Sequence, residues 1–219
     1  MNHTILQAYI EDQQLPVVEK KYHKYLTFEG LEDQFTYILK DGIVKESVVS
    51  KYGQEFNLRY ITGLEIISVL SNEYSQYMGE PYNVRVESDT ATFYRVHRDK
   101  FLQDIRTSKE LQSYITSFYH HRLLTSMKKM QQMLTNGRIG AVSTQLYELA
   151  SIFGRKLENG DILIDFSITN EELGKFCGIS TTSSVSRILK QLKNDDIIQT
   201  DKQKIRIVKL EQLKENIIF

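Results

Sequence analysis

The chain has 219 residues, 41% of them hydrophobic, with 28 basic and 28 acidic side chains that cancel to a formal charge of zero. This is enough apolar material for a core, and the overall balance excludes a uniformly basic nucleic-acid binder or a polybasic membrane anchor. A single cysteine, Cys177, excludes an intrachain disulfide framework.

Taken in chain order, Met1-Asn2-His3-Thr4 shows no basic segment followed by an apolar run, so no secretory signal is expected. Apolar stretches such as 61–70 contain Thr, Gly, Glu and Ser and fall short of a bilayer span, which makes a cytoplasmic protein the expectation. Charge becomes informative once the chain is cut. Residues 1–119 hold 13 basic and 17 acidic side chains, net −4, and residues 120–219 hold 15 and 11, net +4. A neutral whole conceals an acidic front and a basic back.

The front third reads as strands. Residues 23–29 alternate polar and apolar, as a half-buried strand does. Residues 35–39 and 43–49 flank Lys40-Asp41-Gly42, where Asp-Gly predicts a tight hairpin. Further strands are expected over 56–60, 83–87 and 91–96. Short strands with turns every eight to twelve residues predict a small barrel or sandwich.

Near Ser108 the period changes from two to about 3.6. Ile115, Tyr119, Leu123, Met127, Met130 and Leu134 form one apolar stripe on a long helix that stops at Asn136-Gly137. Such a stripe packs either on its own domain or on a second copy across a two-fold axis, and its length favours the dimer seam. Residues 138–157 predict another amphipathic helix with Ile139, Val142, Leu146, Leu149 and Phe153 on one face, followed by a short strand at 162–166.

Residues 167–208 carry the most specific pattern. Thr169-Asn170-Glu171-Glu172 is a capping box opening a short helix that ends at Gly178. A second helix over 182–193 buries Val185, Ile188, Leu189 and Leu192 and leaves Ser183, Ser184, Arg187, Lys190 and Gln191 outside. Helix, Gly-containing turn and helix with a basic outer face is a helix-turn-helix pattern. Arg187 has the donor fork that fits guanine O6 and N7. Residues 197–199 and 205–208 bracket a hairpin tipped with Lys202 and Lys204, the shape of a wing against phosphates. An ordinary helical hairpin beside a solvated turn would share this pattern.

The chain resembles the Crp/Fnr superfamily of transcription regulators, and within it the PrfA-like members. The matching residues are Asn136-Gly137-Arg138-Ile139-Gly140, Gln145-Leu146, Phe153-Gly154, Glu172-Leu173-Gly174, Gly178-Ile179 and Ser183-Ser184-Val185-Ser186-Arg187-Ile188. Asn57-Leu58-Arg59-Tyr60 and Tyr82-Asn83-Val84 match in the front. The resemblance implies an α+β chain: an N-terminal β-roll like that of cyclic-nucleotide sensors over 1–108, a long dimerisation helix over 109–136 and a C-terminal winged helix-turn-helix over 137–219. It implies a homodimer on double-stranded DNA with RNA polymerase as a protein partner, whether as activator or as repressor, and Thr182, Ser183 and Arg187 at DNA-contacting places. Ser183 replaces a Glu that many Crp-type recognition helices use to read cytosine, so an A·T-rich palindrome is the expected operator.

No cofactor is expected. Pro81-Tyr82 stands where the family's nucleotide sites carry Arg-Ser, so a phosphate would lose its counter-ion and a donor. One Cys cannot ligate an iron–sulfur cluster. Tyr60 matches an aromatic of the glutathione site in PrfA-like proteins, whereas Ile61, Glu65, Arg122 and Thr125 depart from it, and no effector is assigned. His120 and His121 are adjacent, point about 100° apart and do not form a metal pair. Cys177 reads as a small core residue, with a redox-sensing thiol as the alternative. No catalytic motif is present, and an enzyme is not expected. The rival reading is a ligand sensor acting through protein contacts, with a degenerate DNA module.

Overall fold

The computed structural model describes residues 4–70, 79–135, 137–201 and 204–217; the side chains of Leu134 and Thr135 also lie outside the described set. The chain divides into two compact units, Met1–Leu123 and Leu124–Phe219. The boundary falls inside the long helix rather than at either of its ends. Among the described residues no helix is long and apolar enough to cross a membrane.

Among the described residues, the first unit opens with helix α1 (Thr4–Asp12) and continues through eight strands: β1 (Val17–Lys21), β2 (Tyr25–Thr27), β3 (Phe35–Asp41), β4 (Ile43–Val49), β5 (Glu55–Thr62), β6 (Glu65–Ile66), β7 (Asn83–Val86) and β8 (Thr90–His97). Helix α2 (Arg98–Thr107) and the 27-residue α3 (Lys109–Thr135) follow. The strands form two antiparallel sheets, ordered β1-β8-β3-β6 and β2-β7-β4-β5.

Asp41-Gly42 corrects the hairpin expectation. β3 pairs with β8 and β6, whereas β4 pairs with β5 and β7, so this turn passes the chain from one sheet to the other. Gly42 has φ +104°, and a Cβ there would come within 2.7 Å of the Thr90 carbonyl oxygen. Positive φ and a neighbouring backbone both require glycine, but neither reveals which strand the next one pairs with.

Leu39, Ala91 and Phe93 of the first sheet meet Val44, Ile61, Val84 and Val86 of the second in a shared core. Leu39 and its neighbour Ile38 point to opposite faces, and both are fully buried. Ile38, Ile66 and Val96 face a second core built with Leu6 and Ile10 of α1, Phe101 of α2, and Leu111, Tyr114, Ile115 and Phe118 of α3. Each such side chain contributes about 1.5–3 kcal/mol over its exposed state.

The second unit adds α4 (Gly137–Phe153), β9 (Gly154–Lys156), β10 (Ile162–Ile164), α5 (Asn170–Cys177), α6 (Thr182–Asn194), β11 (Ile198–Asp201), β12 (Lys204–Ile207) and α7 (Leu210–Glu215) to the end of α3. The helix expected over 138–157 ends at Phe153, and residues 154–156 pair with β10 as a strand. The sheet runs β11-β12-β10-β9 and is antiparallel throughout. Val142, Leu146 and Leu149 of α4 are fully buried; Ile139 and Phe153 are half-buried, with Phe153 stacked on Phe166 at 4.3 Å between ring centroids.

Candidate nucleic-acid interface

α5 starts where Thr169 Oγ1 accepts the Glu172 backbone N–H at 3.1 Å, a cap that contributes about 1 kcal/mol. It ends at Gly178 in the left-handed conformation. Inside α5, a Cβ on Gly174 would come within 2.6 Å of the Ile179 carbonyl oxygen, so glycine lets the turn fold tightly against the helix. The turn delivers α6 with Val185, Ile188, Leu189 and Leu192 buried.

The opposite face of α6 is open. Thr182, Ser183, Arg187 and Lys190 are exposed, and Ser184 is half-buried with its hydroxyl accepting from Thr181 Oγ1 at 2.7 Å. Asn170 Nδ2 donates to Ser186 Oγ at 2.8 Å and thereby ties the start of α5 to α6. Sequence reasoning did not single out Asn170 and Ser186 as a pair, because they lie 16 positions apart and no periodic link connects them.

β11 and β12 form the expected hairpin through pairs such as Ile198↔Ile207 and Asp201↔Lys204. Lys202, expected at its tip, lies outside the described residues. Lys204 is half-buried, and its ammonium is ion-paired with Asp165. Lys204 in turn holds the Asp165 carboxyl below the usual carboxylate range. Arg206 is likewise engaged, with Gln199 and, at 3.6 Å, with Asp161.

The apolar stripe of α3 splits in two. Ile115 is buried in the core of the first unit, and Tyr119 packs against that core, its hydroxyl accepting the Leu70 N–H at 2.9 Å. Leu123, Met127 and Met130 are between 53% and 58% exposed, and Leu124 joins them at 53%. Leu134 lies outside the described side chains. The exposed run therefore begins at Leu123, and Leu124 was missed because the stripe was read with one residue per turn.

A Crp-like helix-turn-helix domain model matches residues 141–216, which contain α5, α6, the four-stranded sheet and all of α4 but its start, and exclude α3. The chain is 42% identical over 212 residues to the Lactate racemization regulatory protein of Lactiplantibacillus plantarum, covering 97% of this chain and 96% of that relative. The chain belongs to the Crp/Fnr family of transcription regulators. The Listeriolysin regulatory protein of Listeria monocytogenes is 27% identical over 197 residues, covering 89% of this chain and 83% of that protein. Two solved structures share the fold at TM-score 0.75. FixK2 from Bradyrhizobium japonicum is 13% identical, covering 92% of this chain and 96% of that one; a CooA mutant from Carboxydothermus hydrogenoformans is 16% identical, with 93% and 88% covered.

The region around Pro81-Tyr82, where no nucleotide site is expected, holds an internal ionic network. Pro81 is exposed, and Tyr82 is buried with its hydroxyl donating to the Ile67 carbonyl at 2.9 Å. Arg122 of α3 donates to Tyr82 Oη at 2.6 Å and to Glu46 at 2.7 Å. Glu46 and Arg59 are opposite one another on β4 and β5 and form a two-bond pair at 2.8 and 3.1 Å, while Arg59 also meets Glu65 at 2.6 Å. Burial alone would lower the Arg59 pKa, but Glu46 and Glu65 outweigh it and the net direction is upward. Desolvation, with Glu46 nearby, raises Tyr82 well above the usual phenol value. The signal was present in the sequence: alternation puts Glu46 on the same inward face as Val44, an unusual place for a charge without a partner.

Tyr60 is buried at 6% exposure. Cys177 is buried too, and desolvation pushes its thiol up to about 12. His120 and His121 are exposed on α3. Among the described residues, no group of three or more His, Cys, Asp or Glu side chains is arranged to hold a metal ion.

Proposed function

We propose that the protein is a homodimeric, sequence-specific transcription regulator that reads an A·T-rich palindrome with paired α6 helices. The observation that carries this reading is the two-sided character of α6. Its apolar face is fixed in the core, and Thr182, Ser183, Arg187 and Lys190 stand free on the other side. Short hydroxyls at the start of α6 allow close approach to a groove, and Arg187 one turn later reaches a base edge. Lys190 and Lys202 supply phosphate contacts that set register without carrying sequence information, and Lys204 adds one when its pair with Asp165 opens.

The exposed Leu123, Leu124, Met127 and Met130 support a two-fold seam on α3, because association buries apolar surface that a monomer leaves in water. Two copies would then present α6 to successive major grooves about 34 Å apart. A cytoplasmic location and RNA polymerase as a protein partner follow from this role. The relative whose name attaches it to regulation of lactate racemization makes promoters of hydroxy-acid racemization genes the first to test.

Mobility shift with genomic fragments at two salt concentrations tests the reading. Specific binding is expected, and Arg187→Ala is expected to abolish the preference while leaving non-specific binding. Equal affinity for all fragments, unchanged by that substitution, would favour a sensor acting through protein contacts.

A further inference from the structure

We propose that Lys129 is a positioning residue for operator recognition, fixing the angle at which the C-terminal half of α3 carries the helix-turn-helix. This rests on the reading of the chain as a palindrome-binding dimer. Lys129 Nζ lies 2.8 Å from Glu148 Oε2 and donates to Gln145 Oε1 at 3.2 Å, both on α4. The same ammonium stands 5.3 Å from the centre of the Phe176 ring on α5. Its side chain is only 15% exposed, so these attractions are shielded from solvent far more than those of an ordinary surface pair.

This end of α3 is built inside out. Four of its apolar residues, Leu123, Leu124, Met127 and Met130, are exposed and Met133 is half-buried, whereas Lys129 and Gln132, three residues apart and so on adjoining positions of one face, are shielded. Apolar burial is non-directional and tolerates sliding; charge-assisted hydrogen bonds fix distance and angle. Lys129 therefore sets orientation where the apolar residues of the same helix do not. From Phe176 the connection continues through α5 to α6, whose first turns are tied by Asn170 and Ser186. In a dimer built on α3, a small rotation at Lys129 is multiplied along this path into a change in recognition-helix separation.

The test uses the full chain and two DNA duplexes with identical selected half-sites. One has the selected spacing; in the other the spacer is changed by about five base pairs, half a helical turn. The wild-type protein is expected to prefer the first. Lys129→Met, which keeps the length and removes the charge, is expected to lose about tenfold on the matched palindrome and most of the spacing preference. Affinity for a single half-site and the Tm should stay near wild type. Lys129→Arg should restore the preference, because a guanidinium can reach Glu148 and face the Phe176 ring. Glu148→Gln must reproduce the loss if Lys129→Met fails to fold. Full spacing preference in Lys129→Met, or equal loss on palindrome and half-site, overturns the inference while leaving the dimer reading intact. A wild-type protein indifferent to palindromes overturns both.

Discussion

Arg187 and Lys204 carry the same charge in different circumstances. Arg187 is exposed on α6, whereas Lys204 is held by Asp165. Replacing Arg187 with Ala should cost about 10- to 100-fold in affinity for the selected operator, and much less for random DNA, measured by titration at fixed salt. Asp165→Asn should have the opposite sign: it releases Lys204 for phosphate, strengthens binding to random DNA and steepens the salt dependence by about one counter-ion. Glu46 is a third case, because it is 2% exposed and partners both Arg59 and Arg122. Glu46→Ala leaves two guanidinium groups shielded without it and should cost about 3 kcal/mol in urea unfolding of the first unit. Titration adds a pH limit. Burial, as the first cause, pushes Cys177, Tyr37 and Tyr114 each up to about 12. The folded chain keeps protons that the unfolded chain releases from about pH 9 upward, so stability is expected to fall across the window from about 9 to 12. A lower urea midpoint at about pH 10.5 than at about pH 8 would register it.

At the scale of elements, α3 serves two environments along one stripe. Its first half buries Leu111, Tyr114, Ile115 and Phe118 in the first unit, and its second half exposes Leu123, Leu124, Met127 and Met130. Met127→Glu with Met130→Glu should convert the proposed dimer to a monomer in sedimentation velocity and leave the fold of each unit intact, since neither side chain is in a core. Periodicity found this helix because every third or fourth residue is apolar. It could not divide the stripe, because periodicity reports which residues share a face and says nothing of what covers them. The same reason explains Asp41-Gly42, where turn chemistry was legible but pairing depends on partners distant in sequence. α5 and α6 were read closely, down to the Thr169 cap and Gly178, because helix ends and the α6 buried face are set by residues within a few positions of each other. The ionic network of Glu46, Arg59, Glu65 and Arg122 was not read, because its members are brought together from β4, β5, β6 and α3.

For the whole molecule, the zero net charge is an average over an acidic front and a basic back, and the first unit, which takes in Arg122, is still net −3 and the second net +3. The α+β order of roll, long helix and winged helix was expected and is the observed one. The central claim is that two copies read a symmetric DNA sequence through α6. Selection of bound fragments from a random DNA pool by the purified full-length protein tests it most directly. The account predicts an enriched A·T-rich inverted repeat with half-site centres about one helical turn apart, lost when Arg187 is replaced by Ala. Recovery of fragments with no shared motif, or of a single asymmetric half-site bound equally well by that variant, would contradict it.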